Sequence, residues 1–260
     1  MDKTPFKDDE ILRTVVGSQV HGLAIEGTDD NDEMGVFIEP KSLVIGLDPP
    51  MDTYTWRSKP EGQRSEPGDT DYVGYSLRHF LKLAIAGNPT VLLPFFAPEA
   101  NVLIETRLGT ELRSMRTCFL SQEAAWRFLK YSEQQYERML GRGKQNRVPN
   151  RPELIERYGW DVKYGSHALR LVFQAQELIE DAQLTLPLPY ALREIVLQVK
   201  TGQFTRDEVA AWIRTLLNSL HDKLEVGETA LPPHAARALV SEWSQRAHLE
   251  HWSKSDQLRR

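Results

Sequence analysis

The feature that most constrains this chain is a change of hydrophobic rhythm close to residue 120. Before it, apolar clusters are short and end at turn residues; after it, apolar positions recur every three or four residues over long stretches. Two regions of different secondary structure follow. Residues 11–16 are a branched-chain run ended by Gly17-Ser18, and residues 35–38 are another ended by Pro40, the pattern of buried strands. Residues 51–57 and 71–75 read as a further strand pair around the polar segment 58–69, which reads as a loop. Ser76 then caps a helix whose Leu77, Phe80, Leu81, Ala84 and Ile85 share one face, and Gly87-Asn88-Pro89 stops it. A second helical segment is expected over residues 90–96.

Beyond the change of rhythm, Ser121 caps a long amphipathic helix carrying Trp126, Leu129, Tyr136 and Leu140. The segment from Gly141 to Pro152 breaks it, and this linker, with Arg142, Lys144, Arg147 and Arg151, is the densest basic stretch in the chain. Further helices are expected from about residue 151, over 161–181, over 190–200 and over 205–221, the last opened by a Thr205-x-x-Glu208 capping box. A final helix spans about 233–252. The expected architecture is α+β: a small mixed sheet flanked by helices over 1–117, then an all-helical domain over 118–260, with a cleft where they meet.

Composition narrows the function classes. With 40% hydrophobic and 27% charged residues, the chain has the make-up of a packed globular protein rather than a disordered one. A net charge of −5 gives no whole-chain basic field for holding nucleic acid, so any such contact is local. Cys118 is the only cysteine, which excludes an intramolecular disulfide and a multi-cysteine metal site. The acidic start, with Asp2, Asp8, Asp9 and Glu10, lacks the features of a secretory signal, and residues 83–97 are too short and proline-broken to cross a membrane. A cytoplasmic protein without a membrane segment is expected; oligomeric state is not written in the sequence.

The candidate chemistry begins at the turn after the first strand. Gly17 lets the backbone approach an anion, Ser18 can donate its hydroxyl, and the start of a following helix presents unpaired amides. A plain turn is the commoner use of such a pair. The run Asp29-Asp30-Asn31-Asp32-Glu33 lies just before a buried strand, and on extended backbone Asp30 and Asp32 point to one face. Two carboxylates that close repel unless they share a cation, and oxygen ligands suit a hard ion such as Mg2+. The bland alternative is a solvated acidic loop. Asp29 and Glu33 point elsewhere in this register. Asp71, at the start of a later strand, supplies a third carboxylate, with Asp69 two residues earlier on the same face.

Gly17-Ser18, eleven residues, Asp30-x-Asp32 and a later strand-opening Asp71 together resemble the nucleotidyltransferase superfamily that shares a palm with DNA polymerase beta. The strings GSQVHGLAIEGTDDNDEMGVFIEP, DYVGYSLRHFLKLAIAGNPTVLLPFFAP and GWDVKYGSHALRLVFQAQELI are similar to predicted nucleotidyltransferases of the RlaP-related group, and the likeness covers most of residues 14–220. It implies that Gly17 and Ser18 hold a nucleoside triphosphate, and that Asp30, Asp32 and Asp71 bind divalent ions, Mg2+ with Mn2+ as an alternative. The implied reaction moves a nucleoside monophosphate from the triphosphate to a hydroxyl acceptor, with an RNA end as one candidate, and releases pyrophosphate. Asn31 and Glu33 stand where that family usually has apolar residues. The alternatives are a noncatalytic nucleotide-sensing or interaction module and a toxin–antitoxin type transferase acting on protein or tRNA.

Lys163, His167 and Arg170 recur at i, i+4 and i+7 of the helix from Asp161, and Gln174 extends the stripe. A solvated face is the ordinary use of such a stripe; the resemblance makes them nucleotide-binding candidates, with Arg suited to bidentate phosphate contact. No second His stands at ligand spacing to His167. Trp126, Trp160, Trp212, Trp243 and Trp252 lie on helical faces, where most are expected to be core residues. Cys118 has no nucleophile pattern around it and is expected to be inert.

Overall fold

The computed structural model describes residues 5–25, 27, 29–60, 67–142 and 151–258, with side chains to 254. The centre of the expected loop (61–66) and most of the basic linker, Lys144 and Arg147 included, lie outside the described residues. The chain clusters into two compact units. The first takes residues 1–86, 90–119 and 235–260, and the second takes 87–89 and 120–234.

The first unit is built on β1 (Glu10–Val15), β2 (Asn31–Phe37), β3 (Thr53–Arg57), β4 (Thr70–Ser76) and β5 (Val102–Glu105), in the order β3-β4-β2-β1-β5. β2 and β4 run parallel, and the other neighbours are antiparallel, so the sheet is mixed. Residues 33–37 of β2 are buried without alternation, because the central strand is covered on both faces. Its Gly35 allows close approach: a Cβ there would meet the Tyr72 hydroxyl at 2.3 Å. That hydroxyl donates to Glu10 Oε1 at 3.0 Å, and Arg13 completes the buried network through Glu10 Oε2.

Around the sheet stand α1 (Gly17–Val20), α2 (Lys41–Val44), α3 (Leu77–Ile85), α4 (Leu93–Phe96) and α5 (Arg107–Ser114). Ser76 caps α3 by accepting from His79 N, and α3 buries the five apolar residues its spacing predicts. α4 is shorter than the expected 90–96 segment. Proline lacks an N–H and is tolerated in a helix's first turn, so the helix starts beside Pro94. β5 and α5 have no counterpart in the sequence reading; four residues are too few to display alternation.

Among its described residues the second unit has only helices: α6 (Gln122–Met139), α7 (Pro152–Tyr158), α8 (Val162–Asp181), α9 (Tyr190–Lys200) and α10 (Arg206–Glu225). Ser121, Asp161 and Thr205 cap α6, α8 and α10, and the Thr205–Glu208 capping box is complete. α6 and α8 pack closely because Gly165 faces Trp160 and Met139, and the Ser132 hydroxyl donates to the Ala168 carbonyl at 2.9 Å. The last helix, α11 (Arg237–Leu258), belongs with the first unit, whereas the sequence reading kept it with the helical half. Its His248 Nε2 lies 3.0 Å from Glu39 Oε2, and Trp252 Nε1 donates to the Glu39 carbonyl at 2.8 Å. The architecture is therefore α+β, a five-stranded mixed sheet with helices and a helical region, as the sequence pattern predicts.

Candidate metal centre

Parallel pairing of β2 with β4 sets Asp32 directly beside Asp71. Asp30 lies one residue before β2, and strand alternation turns it to the side that Asp32 occupies. The result is a cluster: Asp30, Asp32 and Asp71, all half-buried, each offer a carboxylate oxygen, and these oxygens lie within 4.8 Å of one another. The remaining acids of the run go elsewhere. Asp29 Oδ2 accepts from the Ile25 amide at 2.6 Å, and Glu33 is buried 3.5 Å from Arg13. Asp69 is held by Ser58 and Lys59 and does not join the three.

Gly17 is required by its surroundings. Its φ is +67°, and a Cβ would sit 2.1 Å from Asp32 Oδ2, so a larger residue would enter the space of that carboxylate. The Val16 amide donates to the Asp32 carbonyl at 2.8 Å, which ties the turn to the strand. Gln19 Nε2 adds a second tie, donating to Asn31 Oδ1 at 2.5 Å. Asn31 thus has a structural use, tying the turn to the start of β2. Half-buried Ser18 sits in α1, a single turn whose amides are local donors rather than the end of a long dipole.

Arg57 is a member of the site that the sequence reading missed. Its Nε donates to Asp71 Oδ1 at 3.0 Å. That hydrogen bond and the Asp71 charge, with smaller contributions from Asp30 and Asp69, raise the guanidinium pKa. The register shows how it arises, because antiparallel β3 and β4 pair Arg57 with Asp71. Pairing the two predicted strands across the 58–69 loop would have brought Arg57 to light.

The donors fit a hard divalent ion. Three carboxylates this close repel one another, one guanidinium offsets part of that charge, and an all-oxygen set matches Mg2+ or Mn2+ rather than a thiophilic metal.

In the second unit, Lys163, His167 and Arg170 do share one face of α8, but the stripe is not a solvated one. Lys163 is exposed, His167 and Arg170 are half-buried, and Gln174 is fully buried. Arg170 keeps some accessible surface, yet enough protein surrounds its guanidinium that desolvation lowers its pKa to about 10. Its Nη1 donates to Gln174 Oε1 at 2.7 Å, and no carboxylate among the described residues pairs with it. Burial, then the charges of Arg170, Lys163, Arg138 and Arg151, hold His167 well below the ordinary imidazole range. It is neutral at pH 7.

The family model described as RlaP, RNA repair pathway DNA polymerase beta family, matches residues 9–257. The chain belongs to the RlaP family. A solved nucleotidyltransferase-like protein from Exiguobacterium sibiricum 255-15 aligns at 12% identity over 85% of this chain and 70% of that one, with a TM-score of 0.32. No curated protein matches.

Elsewhere in this RlaP chain, the tryptophans correct one expectation. Only Trp160 and Trp243 of the five are core residues; Trp126 and Trp252 are half-buried and Trp212 is exposed. An indole covers a helix edge while leaving its rim accessible, as Trp126 does edge-on against His221 and Trp212 against Phe204. Burial pushes the Cys118 thiol pKa up, so little thiolate exists at neutral pH.

Proposed function

We propose that this chain is a divalent-ion-dependent nucleotidyltransferase that moves a nucleoside monophosphate from a nucleoside triphosphate to a hydroxyl acceptor. The supporting observation is the convergence of Asp30, Asp32 and Asp71, oxygens within 4.8 Å, beside Gly17, where a Cβ would meet the Asp32 carboxylate and strain the backbone. Membership of a family described as an RNA repair polymerase-beta group favours an RNA end as acceptor. The acceptor oxygen forms a bond to the α-phosphorus, the bond to the bridging oxygen breaks, and pyrophosphate departs as the hydroxyl proton is lost.

Asp30 and Asp32 would hold divalent ions and Asp71 would complete the ion shared with the attacking hydroxyl. An ion bound there lowers the pKa of a ligated hydroxyl and neutralises phosphate charge. Gly17 and Ser18 would present backbone and hydroxyl donors to the triphosphate. Lys163, His167 and Arg170 suit phosphate oxygens: Lys163 as a point charge, neutral His167 as a ring N–H donor, and Arg170 as a desolvated guanidinium that no carboxylate among the described residues pairs with.

The test is incubation with each α-labelled nucleoside triphosphate, Mg2+ or Mn2+, and RNA, DNA and lysate acceptors. Label transfer that requires a divalent ion and disappears in the Asp30→Ala, Asp32→Ala double variant supports the reading; transfer that survives in that variant refutes it. The ion pair between Arg57 and Asp71 favours a second reading, a noncatalytic nucleotide sensor, because a guanidinium already serves the third carboxylate. Binding of triphosphate without pyrophosphate release, unchanged in Arg57→Gln, would select it.

A further inference from the structure

A cavity of about 540 Å³ opens between α3 and α11, with Val44 of α2 at its edge, and among the described residues none that lines it is acidic. In a chain of net charge −5 this is a marked departure. The floor is apolar: Leu81, Ile85 and Val240 are all buried. Arg78, Lys82 and Arg237 stand exposed at the lining, and among the described residues none has a carboxylate within ion-pair distance of its side chain. Its volume falls within the range of small-molecule sites, and an apolar floor with a few convergent charges is their usual chemistry.

The wall is also fixed in place. His248 is held by the Ser244 carbonyl at 2.7 Å and by Glu39 at 3.0 Å, and the Trp252 indole is anchored to the Glu39 carbonyl and packs edge-on against His248. A preorganised wall lowers the ordering cost of binding. The adjoining cavity of about 360 Å³ shares Arg78 and Lys82 but contains Glu39, Asp48 and Asp52. A polyanionic strand crossing this face would meet those acids, whereas a compact ligand with one charged end avoids them.

We infer that the α3–α11 cavity is a binding site for an amphipathic organic anion, a hydrocarbon or aromatic body bearing one carboxylate, sulfonate or phosphate. The body lies on Leu81, Ile85 and Val240, and the anionic end meets Arg78, Lys82 and Arg237. The site is separate from the aspartate cluster, and neither depends on the other.

The test uses the full chain titrated with anilinonaphthalene sulfonate, followed by fluorescence. One saturable site is expected, with displacement by decanoate but not by decanol, which has the same body and no charge. Joint Arg78→Gln, Lys82→Gln and Arg237→Gln substitution is expected to weaken binding roughly tenfold or more, with near-ultraviolet circular dichroism unchanged. Ser241→Trp, which fills the cavity from an exposed position, is expected to abolish it. The inference is overturned by absence of a saturable site, by an affinity that neither variant changes, by equal displacement with decanol, or by displacement with a short oligouridylate and not with decanoate.

Discussion

Asp32 carries two duties at once: its carboxylate joins the acidic cluster while its carbonyl accepts from Val16. Asp32→Asn keeps the second and removes charge from the first, so label transfer is expected to fall at least about a hundredfold while the melting temperature holds or rises as repulsion is relieved. Gly17→Ala is expected to do both kinds of harm. The left-handed φ costs on the order of 1–3 kcal/mol in a residue with a Cβ, and the added methyl displaces the Asp32 carboxylate, measurable as lower stability together with lost divalent binding. That Asp30 and Asp32 share a side was legible because strand alternation needs no tertiary knowledge, whereas Asp71 joins them only through the pairing of β2 with β4. Arg57 was not, since it appears only once β3 is laid against β4, and nothing local predicts that Asp29 turns back to the Ile25 amide.

Glu39 gives a prediction in pH. Burial alone would raise its carboxyl, but hydrogen bonds, chiefly from His248, hold it below the ordinary 4.5. A depressed carboxyl contributes stability that is fully present above the unfolded value and disappears as pH falls through the folded one. Denaturant midpoints measured from neutral pH down through pH 4 should therefore fall more steeply in the native protein than in Glu39→Gln.

Among the elements, the α6–α8 pair shows how little room the second unit leaves. A Cβ on Gly165 would sit 2.4 Å from the Trp160 ring and 3.0 Å from Met139 Sδ. Gly165→Leu is expected to cost about 1–3 kcal/mol through overpacking, read as a lower unfolding midpoint with helical content retained. Helix ends were readable in advance where a cap was written into the sequence, as at Ser76, Ser121 and Thr205. β5 was unreadable because its identity comes from pairing with β1, not from its own four residues. The polar stripe on α8 was legible in spacing but not in burial, because which parts of a helix face are covered depends on its neighbours.

For the whole molecule, ion binding should couple to unfolding of the first unit alone. At a divalent concentration a hundred times the dissociation constant, linkage adds about 2.7 kcal/mol to that unit. Calorimetry with Mg2+ is expected to raise one transition and leave the other where it was, and Asp30→Asn with Asp32→Asn should cancel the rise. The change of hydrophobic rhythm announced a mixed sheet and a helical region. It could not announce that α11 belongs with the sheet, since an amphipathic face does not name its partner.

That return of α11 bears on how the protein is made. All five strands and the whole of residues 120–234 emerge from the ribosome before α11, the last piece of the first unit. Glu39 meets His248 only after more than two hundred further residues have been translated. A nascent chain stalled anywhere in the second unit therefore exposes the apolar flank of α3, a surface for chaperones to guard until α11 has emerged.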